Sequence, residues 1–247
     1  MSKIVGQILL STAVLITTVW LIWQEVEAQG ADWLPIKHVR IEGAFQYIAK
    51  DKVQGVLKGQ LSNGFYNANI QQIRASVNQL PWVENVRVKR IWPDAIDIKI
   101  IEQQPVVRWG NKGLLNEKGE LFFPDNVAVF NVLPLLSGPS GKEKQLLEIM
   151  KGLMVSLQDK ELVLAEFHVN KRRAWKIKLQ SEMELILGRN EPLKKFQLFL
   201  KTFTLIGKEQ ETKVAVVDLR YPNGFALTWK PDEKAIDWKK IVEKNKT

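Results

Sequence analysis

Alternating apolar and polar residues mark three segments in the first half of the chain, and helical spacing marks two more between them. The three alternating segments, which predict strands, are residues 36–41, 83–91 and 96–101. Apolar residues recur every three or four positions in residues 47–57 and again after Asn69, a typical N-cap, up to Pro81, which predicts two helices. The predicted order over residues 34–103 is strand, helix, helix, strand, strand.

A second series of strands and helices follows over residues 104–230, and a mixed α/β sheet is expected, for an α+β fold overall. Lys118-Gly119 predicts one hairpin turn, and Asn223-Gly224 between two alternating runs is a strong signal of another. Residues 133–141, rich in Pro and Gly, predict a loop, and the charged residues 231–247 predict a mobile tail. Residues 102–105 close the first unit, and residues 106–109 begin the second. The predicted strands of the second unit are 114–122 as a hairpin, 163–169, 175–179, 183–187, 214–221 and 225–229, and its predicted helices are 142–157 and a segment opened by Pro192. The helix faces expected in the core consist of Leu146, Leu147, Ile149, Met150, Leu153 and Met154 and of Leu193, Phe196, Phe199, Leu200 and Phe203.

Residues 4–23 carry no charged side chain and predict a transmembrane helix. At about 1.5 Å per residue the segment is roughly 30 Å long, which matches the hydrocarbon core of a bilayer. Lys3 on the short side places residues 1–3 in the cytoplasm, so residues 24–33 form a juxtamembrane linker on the far side. A signal peptide cleaved near Ala28 is the alternative, although the length of the apolar run favours an uncleaved anchor.

Composition and charge narrow the classes of function. The absence of Cys excludes disulfides, a thiolate zinc site and a cysteine nucleophile. The net charge of +9 is typical of nucleic-acid binding, but the predicted topology places that charge across the membrane from the genome. An anionic lipid, a wall polymer or an acidic protein is the expected partner instead. Residues 171–201 are strongly basic, and we expect most of their charges to be solvated.

An enzymatic function has little support in the sequence. His38 and His168 lie in predicted strands, and no Ser stands in a nucleophile-elbow pattern. Glu182 and Glu184 share one face of a predicted strand and are the carboxylate pair that best suits acid–base chemistry on a glycan. The sequence has neither a Gly-rich phosphate loop nor metal-ligand spacing, so we expect no cofactor and no metal.

Six motifs along the chain are characteristic in their order and spacing. They are Pro81-Trp82-Val83, Arg90-Ile91-Trp92-Pro93, Glu102-Gln103-Gln104-Pro105-Val106-Val107-Arg108-Trp109, Arg172-Arg173-Ala174-Trp175, Leu187-Gly188-Arg189 and residues 217–224, which read VDLRYPNG. With the first two of these motifs, residues 34–103 resemble a POTRA domain, and the chain as a whole is similar to the FtsQ/DivIB family of bacterial cell-division proteins. That family joins one membrane anchor, a POTRA domain and a mixed-sheet β domain.

The resemblance implies a scaffold of the division complex that is not an enzyme. It places the chain in the inner membrane at the septum, with its bulk in the periplasm. The implied partners are the bitopic proteins FtsB and FtsL, the septal wall synthase FtsW/FtsI, and FtsK. Family members often have a cytoplasmic tail longer than residues 1–3, which puts contacts with cytoplasmic division proteins in doubt. The alternative class is a POTRA protein that chaperones polypeptides in transport or outer-membrane assembly, although such chains usually repeat the module or add a long barrel.

The resemblance also implies a partner site in the last strand region, where a short strand of FtsB adds to the sheet edge. A terminal strand leaves one ladder of N–H and C=O groups open, Tyr221 and Trp229 supply apolar contact, and Arg220 and Arg172 can pair with carboxylates of the partner. The alternative is a hairpin whose Tyr and Trp cover its own core. Carried over position by position, the site comprises Arg220, Tyr221, Asn223, Gly224, Phe225, Ala226, Leu227, Thr228 and Trp229, with Arg172 and Arg173 as neighbours.

Overall fold

The computed structural model describes residues 15–21, 35–61, 64–206 (backbone only for 204–206), 212–222 and 224–231. They belong to two compact units that divide between Gln103 and Gln104. Residues 15–21 of the predicted membrane anchor are helical, and the remainder of the anchor and the predicted tail from residue 232 lie outside the described residues. Within the described ranges, none of the helices has both the length and the apolar character that a membrane crossing requires.

The first unit is a three-stranded sheet covered on one face by helices. Its strands stand in the order β1-β3-β2, with β1 parallel and β2 antiparallel to the central β3. The one-turn helix α2 is absent from the sequence prediction because four residues are too few to establish a helical period. The elements are β1 (His38–Glu42), α1 (Lys50–Lys58), α2 (Gly64–Asn67), α3 (Ile70–Asn78), β2 (Val83–Ile91) and β3 (Ala95–Glu102).

Local signals account for the helix boundaries of this unit. The side chain of Asn69 accepts a hydrogen bond from the backbone N–H of Gln72 at 3.0 Å, which confirms the predicted N-cap of α3. Glu102 is 4 % exposed, and its carboxylate accepts hydrogen bonds from the backbone N–H groups of Gln46, Tyr47 and Ile48, which holds the chain just before α1. The core is formed by Val53, Leu57, Ile73 and Val77 of the helices and Val86, Ile96, Ile98 and Ile100 of the sheet, among others.

The second unit is a nine-stranded mixed sheet in the order β12-β11-β10-β9-β8-β7-β4-β5-β6. Two long helices pack on it, and their apolar side chains form one continuous core with the sheet. The elements are β4 (Pro105–Trp109), β5 (Gly113–Asn116), β6 (Leu121–Phe122), a short 3-10 helix (Ala128–Phe130), β7 (Leu135–Ser137), α4 (Glu143–Gln158), β8 (Leu164–Val169), β9 (Trp175–Leu179), β10 (Glu184–Gly188), α5 (Pro192–Ile206), β11 (Val214–Asp218) and β12 (Ala226–Trp229).

The predicted loop over residues 133–141 is wrong in its middle, which forms β7 near the centre of the sheet. β7 lies between β4 and β8 and is parallel to both. Its three residues are too short for an alternating pattern, and Pro134 and Gly138 on either side are typical loop residues. Only the fully buried side chain of Leu136, opposite Phe167 of β8, reveals the strand.

Two of the predicted core residues on the helices are exposed. Leu146, Leu147, Met150 and Leu153 of α4 are buried as expected, whereas Met154 is 38 % exposed because it lies at the margin of the apolar face. In the same way Phe196, Phe199 and Phe203 of α5 are buried, but Leu193 in the first turn of the helix is 53 % exposed. The positions that fit the helical period best are the ones that contact the sheet.

Candidate partner-binding edge

β12 is the last strand of the nine-stranded sheet and pairs with β11 alone among the described strands. The backbone N–H of Lys230 donates to the carbonyl oxygen of Lys213 at 2.9 Å, just beyond the antiparallel pairing. Backbone groups of alternate residues in a strand point to the same side, so residues 226 and 228 also direct theirs toward β11. The backbone N–H and C=O groups of Leu227 and Trp229 therefore point away from the sheet.

The side chains of β12 divide between the two faces of the sheet. Leu227 and Trp229 are half-buried and pack against the core, whereas Ala226 and Thr228 are exposed on the opposite face. Phe225, just before the strand, is also half-buried against the core. Trp229 thus covers part of its own domain, as the alternative interpretation of the hairpin predicts, and part of its ring remains accessible.

The connection from β11 to β12 is longer than the sequence predicts. β11 ends at Asp218 instead of Tyr221 and β12 begins at Ala226, so the predicted hairpin forms but its connection is longer than the Asn223-Gly224 signal indicates. Asn223 itself lies outside the described residues. Tyr221 lies in this connection and is 56 % exposed, so it does not cover the core of the unit.

The side chain of Asp218 explains why the ladder between β11 and β12 stops. Its Oδ1 accepts the backbone N–H of Arg220 at 3.0 Å, and that N–H, two residues beyond Asp218, points to the side where β12 pairs. The two carboxylate oxygens also accept hydrogen bonds from Arg220 Nε at 2.9 and 3.1 Å and from Nη2 at 2.6 Å. The Arg220 guanidinium lowers the pKa of the Asp218 carboxyl, and Asp218 in turn raises the pKa of Arg220. The guanidinium is therefore oriented within the chain, and its contact with a partner stays a prediction.

Arg172 and Arg173 lie at the same end of the sheet as Arg220. Both arginines are exposed in the turn before β9, and Trp175, the first residue of β9, pairs with Gly188, the last residue of β10. β10 runs parallel to β11, so the ends of both strands lie at this end of the sheet. The stem of Arg220 passes over Gly188, whose missing Cβ would stand 3.2 Å from Arg220 Cγ. The structure thus brings the predicted arginines to one basic end of the sheet, where β12 begins.

Three further residues, which are not among the predicted site residues, position this edge. Lys195 of α5 donates from Nζ to the carbonyl oxygen of Arg220 at 3.2 Å, and Lys230 donates from Nζ to that of Ser181 at 3.1 Å. Asp218 is the third, and its spacing from Arg220 offers a signal, since residues two apart in a strand share a face. No local pattern reveals the two lysines, because their acceptors are far away in the chain.

The side chains of Glu182, Glu184 and His168, which were considered for catalysis, form ion pairs or hydrogen bonds within the second unit. Glu182 and Glu184 form ion pairs with Lys178 at 2.5 Å and Lys176 at 2.7 Å, and the hydrogen bond to Glu182 raises the pKa of Lys178. His168 Nδ1 lies 2.6 Å from the hydroxyl of Ser137. The residues opposite His168 on the two neighbouring strands are that Ser and Lys176, so neither cross-strand neighbour is a carboxylate that would orient the ring as a base.

The fold defines a class of protein in which a POTRA domain precedes a mixed-sheet domain that ends in an edge strand. Residues 34–103 match the family model described as POTRA domain, FtsQ-type. Residues 107–220 match the one described as cell division protein FtsQ/DivIB, C-terminal.

Curated relatives agree with both matches. The chain is 52 % identical over 227 residues to the cell division protein FtsQ of Methylomonas methanica, which covers 92 % of this chain and 91 % of the relative. It is 31 % identical to that of Hahella chejuensis, over 86 % of this chain and 77 % of the relative. It is 28 % identical to that of Escherichia coli, over 82 % and 76 %. The chain belongs to the FtsQ/DivIB family of cell-division proteins.

Proposed function

We propose that the chain is a non-enzymatic, membrane-anchored scaffold of the division complex, and that β12 holds FtsB by adding one strand of it to the sheet. The observation that carries this proposal is the outward direction of the backbone groups of Leu227 and Trp229 at the edge of a nine-stranded sheet. An extended segment placed beside β12 satisfies these groups with main-chain hydrogen bonds. Its apolar side chains also cover the accessible parts of Leu227 and Trp229.

The basic end of the sheet supports an acidic partner. Arg172, Arg173 and Arg220 are exposed there, next to the start of β12. Carboxylates that flank the added strand would lie beside these arginines and fix its register, while Tyr221 supplies an exposed aromatic ring at the same end. In this proposal FtsB brings FtsL, and the assembly in turn brings the septal wall synthase FtsW/FtsI and contacts FtsK.

Anchoring by residues 4–23 completes the proposed arrangement as a single-pass inner-membrane protein whose bulk is in the periplasm, at the septum. The described part of that segment supports it, since residues 15–21 are helical and expose Leu15, Ile16, Val19 and Trp20. A helix that exposes large apolar side chains in this manner suits a lipid environment. The charges that flank the whole segment favour a cytoplasmic N-terminus.

Binding of the full chain in detergent to the periplasmic segment of the organism's FtsB tests the proposal. We expect Tyr221→Ala and Trp229→Ala each to weaken binding by more than about 2 kcal/mol, roughly thirtyfold, because aromatic residues often contribute a large part of the affinity of an interface. Val132→Ala is the matched control, since Val132 is 94 % exposed and lies elsewhere in the same unit. Thermal unfolding of each variant separates a lost contact from a lost fold, which matters most for the half-buried Trp229.

Three outcomes distinguish the alternatives. Absence of binding by the wild type contradicts the assignment of FtsB as partner. Binding that neither aromatic substitution weakens leaves the function in place and contradicts the site. Binding of unassembled outer-membrane polypeptides in place of FtsB favours the function in polypeptide transport.

A further inference from the structure

An aromatic cluster lies at one end of the POTRA sheet, in the first of the two units. The ring of Phe65 is buried at its centre and meets Trp92 and Tyr66 edge-on, with ring centroids 6.4 and 5.8 Å apart. The outer two rings face solvent, since Trp92 is 68 % and Tyr66 51 % exposed. Ile91 precedes Trp92 in the hairpin, on the opposite face of β2 from Arg90, and is 49 % exposed. Three large apolar side chains exposed at one end of a small sheet, on both of its faces, are unusual on a water-facing surface and indicate a contact.

The cluster is rigidly held. Arg90 donates from Nη2 to the carbonyl oxygens of Tyr66 at 3.0 Å and Ala68 at 2.6 Å, which joins the segment around α2 to the hairpin between β2 and β3. Both acceptors are neutral, so the guanidinium brings a positive charge to the aromatic rings. The exposed rings of Tyr66 and Trp92 are therefore held in place by Arg90 and form a preorganised surface.

The chain enters the POTRA unit at this same tip. The backbone N–H groups of Lys37 and His38 donate to the carbonyl oxygen of Asp94, two residues beyond Trp92. Lys37 is exposed and adds a second basic side chain at the tip, and its Nζ lies 3.7 Å from the Asp94 carboxylate. The residues that precede Lys37 are the linker from the predicted anchor, so the tip is the part of the unit nearest in sequence to the membrane.

We propose that the tip formed by Tyr66, Ile91 and Trp92 inserts into the headgroup region of the bilayer, with Lys37 and Arg90 beside anionic headgroups. Trp and Tyr prefer this region because their rings are apolar and their N–H and O–H groups remain hydrated. Basic side chains close to an anionic surface add to the attraction. The proposal rests on the anchoring of residues 4–23 proposed above.

Because the linker is short, the tip can contact the bilayer surface even if its own affinity for lipid is weak. Residues 24–36 separate the predicted anchor from Lys37. Thirteen residues span at most about 45 Å, whatever their conformation. The tip is therefore tethered close to the surface, where a weak contact becomes an intramolecular one.

Depth-sensitive quenching on the full chain in vesicles tests the contact. The chain has no Cys, so a single introduced Cys labels one position. We label Ile91→Cys with an environment-sensitive fluorophore and compare it with Asn85→Cys, an exposed position near the other end of β2. In vesicles of anionic and zwitterionic lipid with a nitroxide near the headgroup, we expect at least twofold stronger quenching at position 91 than at position 85. We expect that difference to disappear with Tyr66→Ser plus Trp92→Ser and to persist with Val132→Ser.

Each outcome decides between the two proposals. Retention of the chain by vesicles after a carbonate wash, with the expected quenching, supports both the anchor and the contact. Retention with equal quenching at positions 91 and 85 overturns the contact and leaves the anchor in place. Loss of the chain in the wash overturns both. A label at position 91 that stays open to an aqueous quencher in vesicles and becomes protected when a purified division protein is added assigns the tip to a protein and overturns the lipid contact.

Discussion

The two edges of the nine-stranded sheet are built in opposite ways. β12 offers four residues, with outward backbone groups at Leu227 and Trp229 and both faces of the strand partly accessible. β6, at the other edge, has only Leu121 and Phe122, and the next strand, β5, is covered on both faces, since the adjacent residues Leu114 and Leu115 are both fully buried. After these two residues the chain passes through the 3-10 helix and returns to the middle of the sheet as β7.

This contrast explains why strand addition is proposed at one edge only. A short edge strand that bends away presents too few backbone groups to template another chain, which is how many proteins prevent aggregation. A longer edge strand with a flanking charge pattern recruits a chosen partner instead. The four predictions below test this difference between the edges, from the largest expected effect to the smallest.

Phe167→Ala tests whether one core supports both edges. Phe167 lies in β8, between the edges, is fully buried and meets Trp175 edge-on at 5.1 Å. We expect the free energy of unfolding of the second unit to fall by about 3–5 kcal/mol, because the truncation leaves a cavity. Hydrogen exchange measured by mass spectrometry should accelerate in β12 and in β5–β6 together. Acceleration at one edge alone contradicts a shared core.

Leu227→Pro, compared with Leu227→Ala, tests the outward backbone groups of β12. Both variants shorten the side chain, and only Pro also removes the N–H that points away from β11. We expect the Pro variant to bind the FtsB segment about tenfold more weakly than the Ala variant, which corresponds to about 1.4 kcal/mol and to the loss of one main-chain hydrogen bond.

The matched control for that comparison is Leu121→Ala at the other edge, which should leave FtsB affinity unchanged. Equal affinities of the two Leu227 variants in titration calorimetry would mean that the partner does not pair with the backbone of β12.

Gly113→Ala tests how closely the β6 edge is packed. A Cβ at Gly113 would stand 2.7 Å from Leu121 Cδ1 and 3.3 Å from the carbonyl oxygen of Trp109. We expect a loss of about 1 kcal/mol of stability, since the tip of Leu121 can move but the backbone cannot. Urea unfolding measures the loss, and FtsB binding at the far edge serves as the control that should not change. A neutral substitution would show that the β6 edge is looser than the structure indicates.

The pH dependence of the stability of Asp218→Asn tests the interaction between Asp218 and Arg220 that ends the β11–β12 ladder. Because Arg220 lowers the pKa of Asp218 in the folded state, the carboxylate contributes stability above its ordinary pKa of about 3.9, and that contribution is lost as the pH falls through the lower folded value. We expect the wild type to exceed the variant in stability at neutral pH and the difference to vanish in acid, as followed by urea unfolding. The effect is the smallest of the four because the Arg220 side of the ion pair is exposed to solvent. A difference that persists unchanged to pH 2.5 contradicts the role of the charge.

The sequence predicts elements well where a long pattern or a strong cap exists. Strands β2 and β9 have the predicted bounds, and the Asn69 cap of α3 is confirmed. β7 could not be predicted, since three residues between Pro134 and Gly138 carry no period and their burial arises from strands distant in the chain. Local sequence signals alone therefore miss a strand at the centre of the sheet.

In the candidate site, too, local sequence signals predict only part of the structure. The Asn223-Gly224 signal correctly marks a reversal of the chain but not its length, because the Asp218 side chain takes the Arg220 N–H that would extend the ladder. The spacing of Arg220 from Asp218 is visible in the sequence, whereas the support from Lys195 depends on where α5 packs. Which backbone groups of β12 point outward follows only from the register of the sheet.

The position of β12 at the end of the sheet order has a consequence for biosynthesis. Among the described strands, β11 and β12 are made last, and the others of the unit precede residue 189. A chain interrupted before β11 would present β10 as its edge, whose Leu185 and Leu187 are fully buried in the complete unit. Such a fragment would expose an apolar edge strand that is prone to aggregation, and it would lack the edge proposed to bind the partner. A partner strand could therefore bind only to chains in which β11 and β12 have both been synthesised.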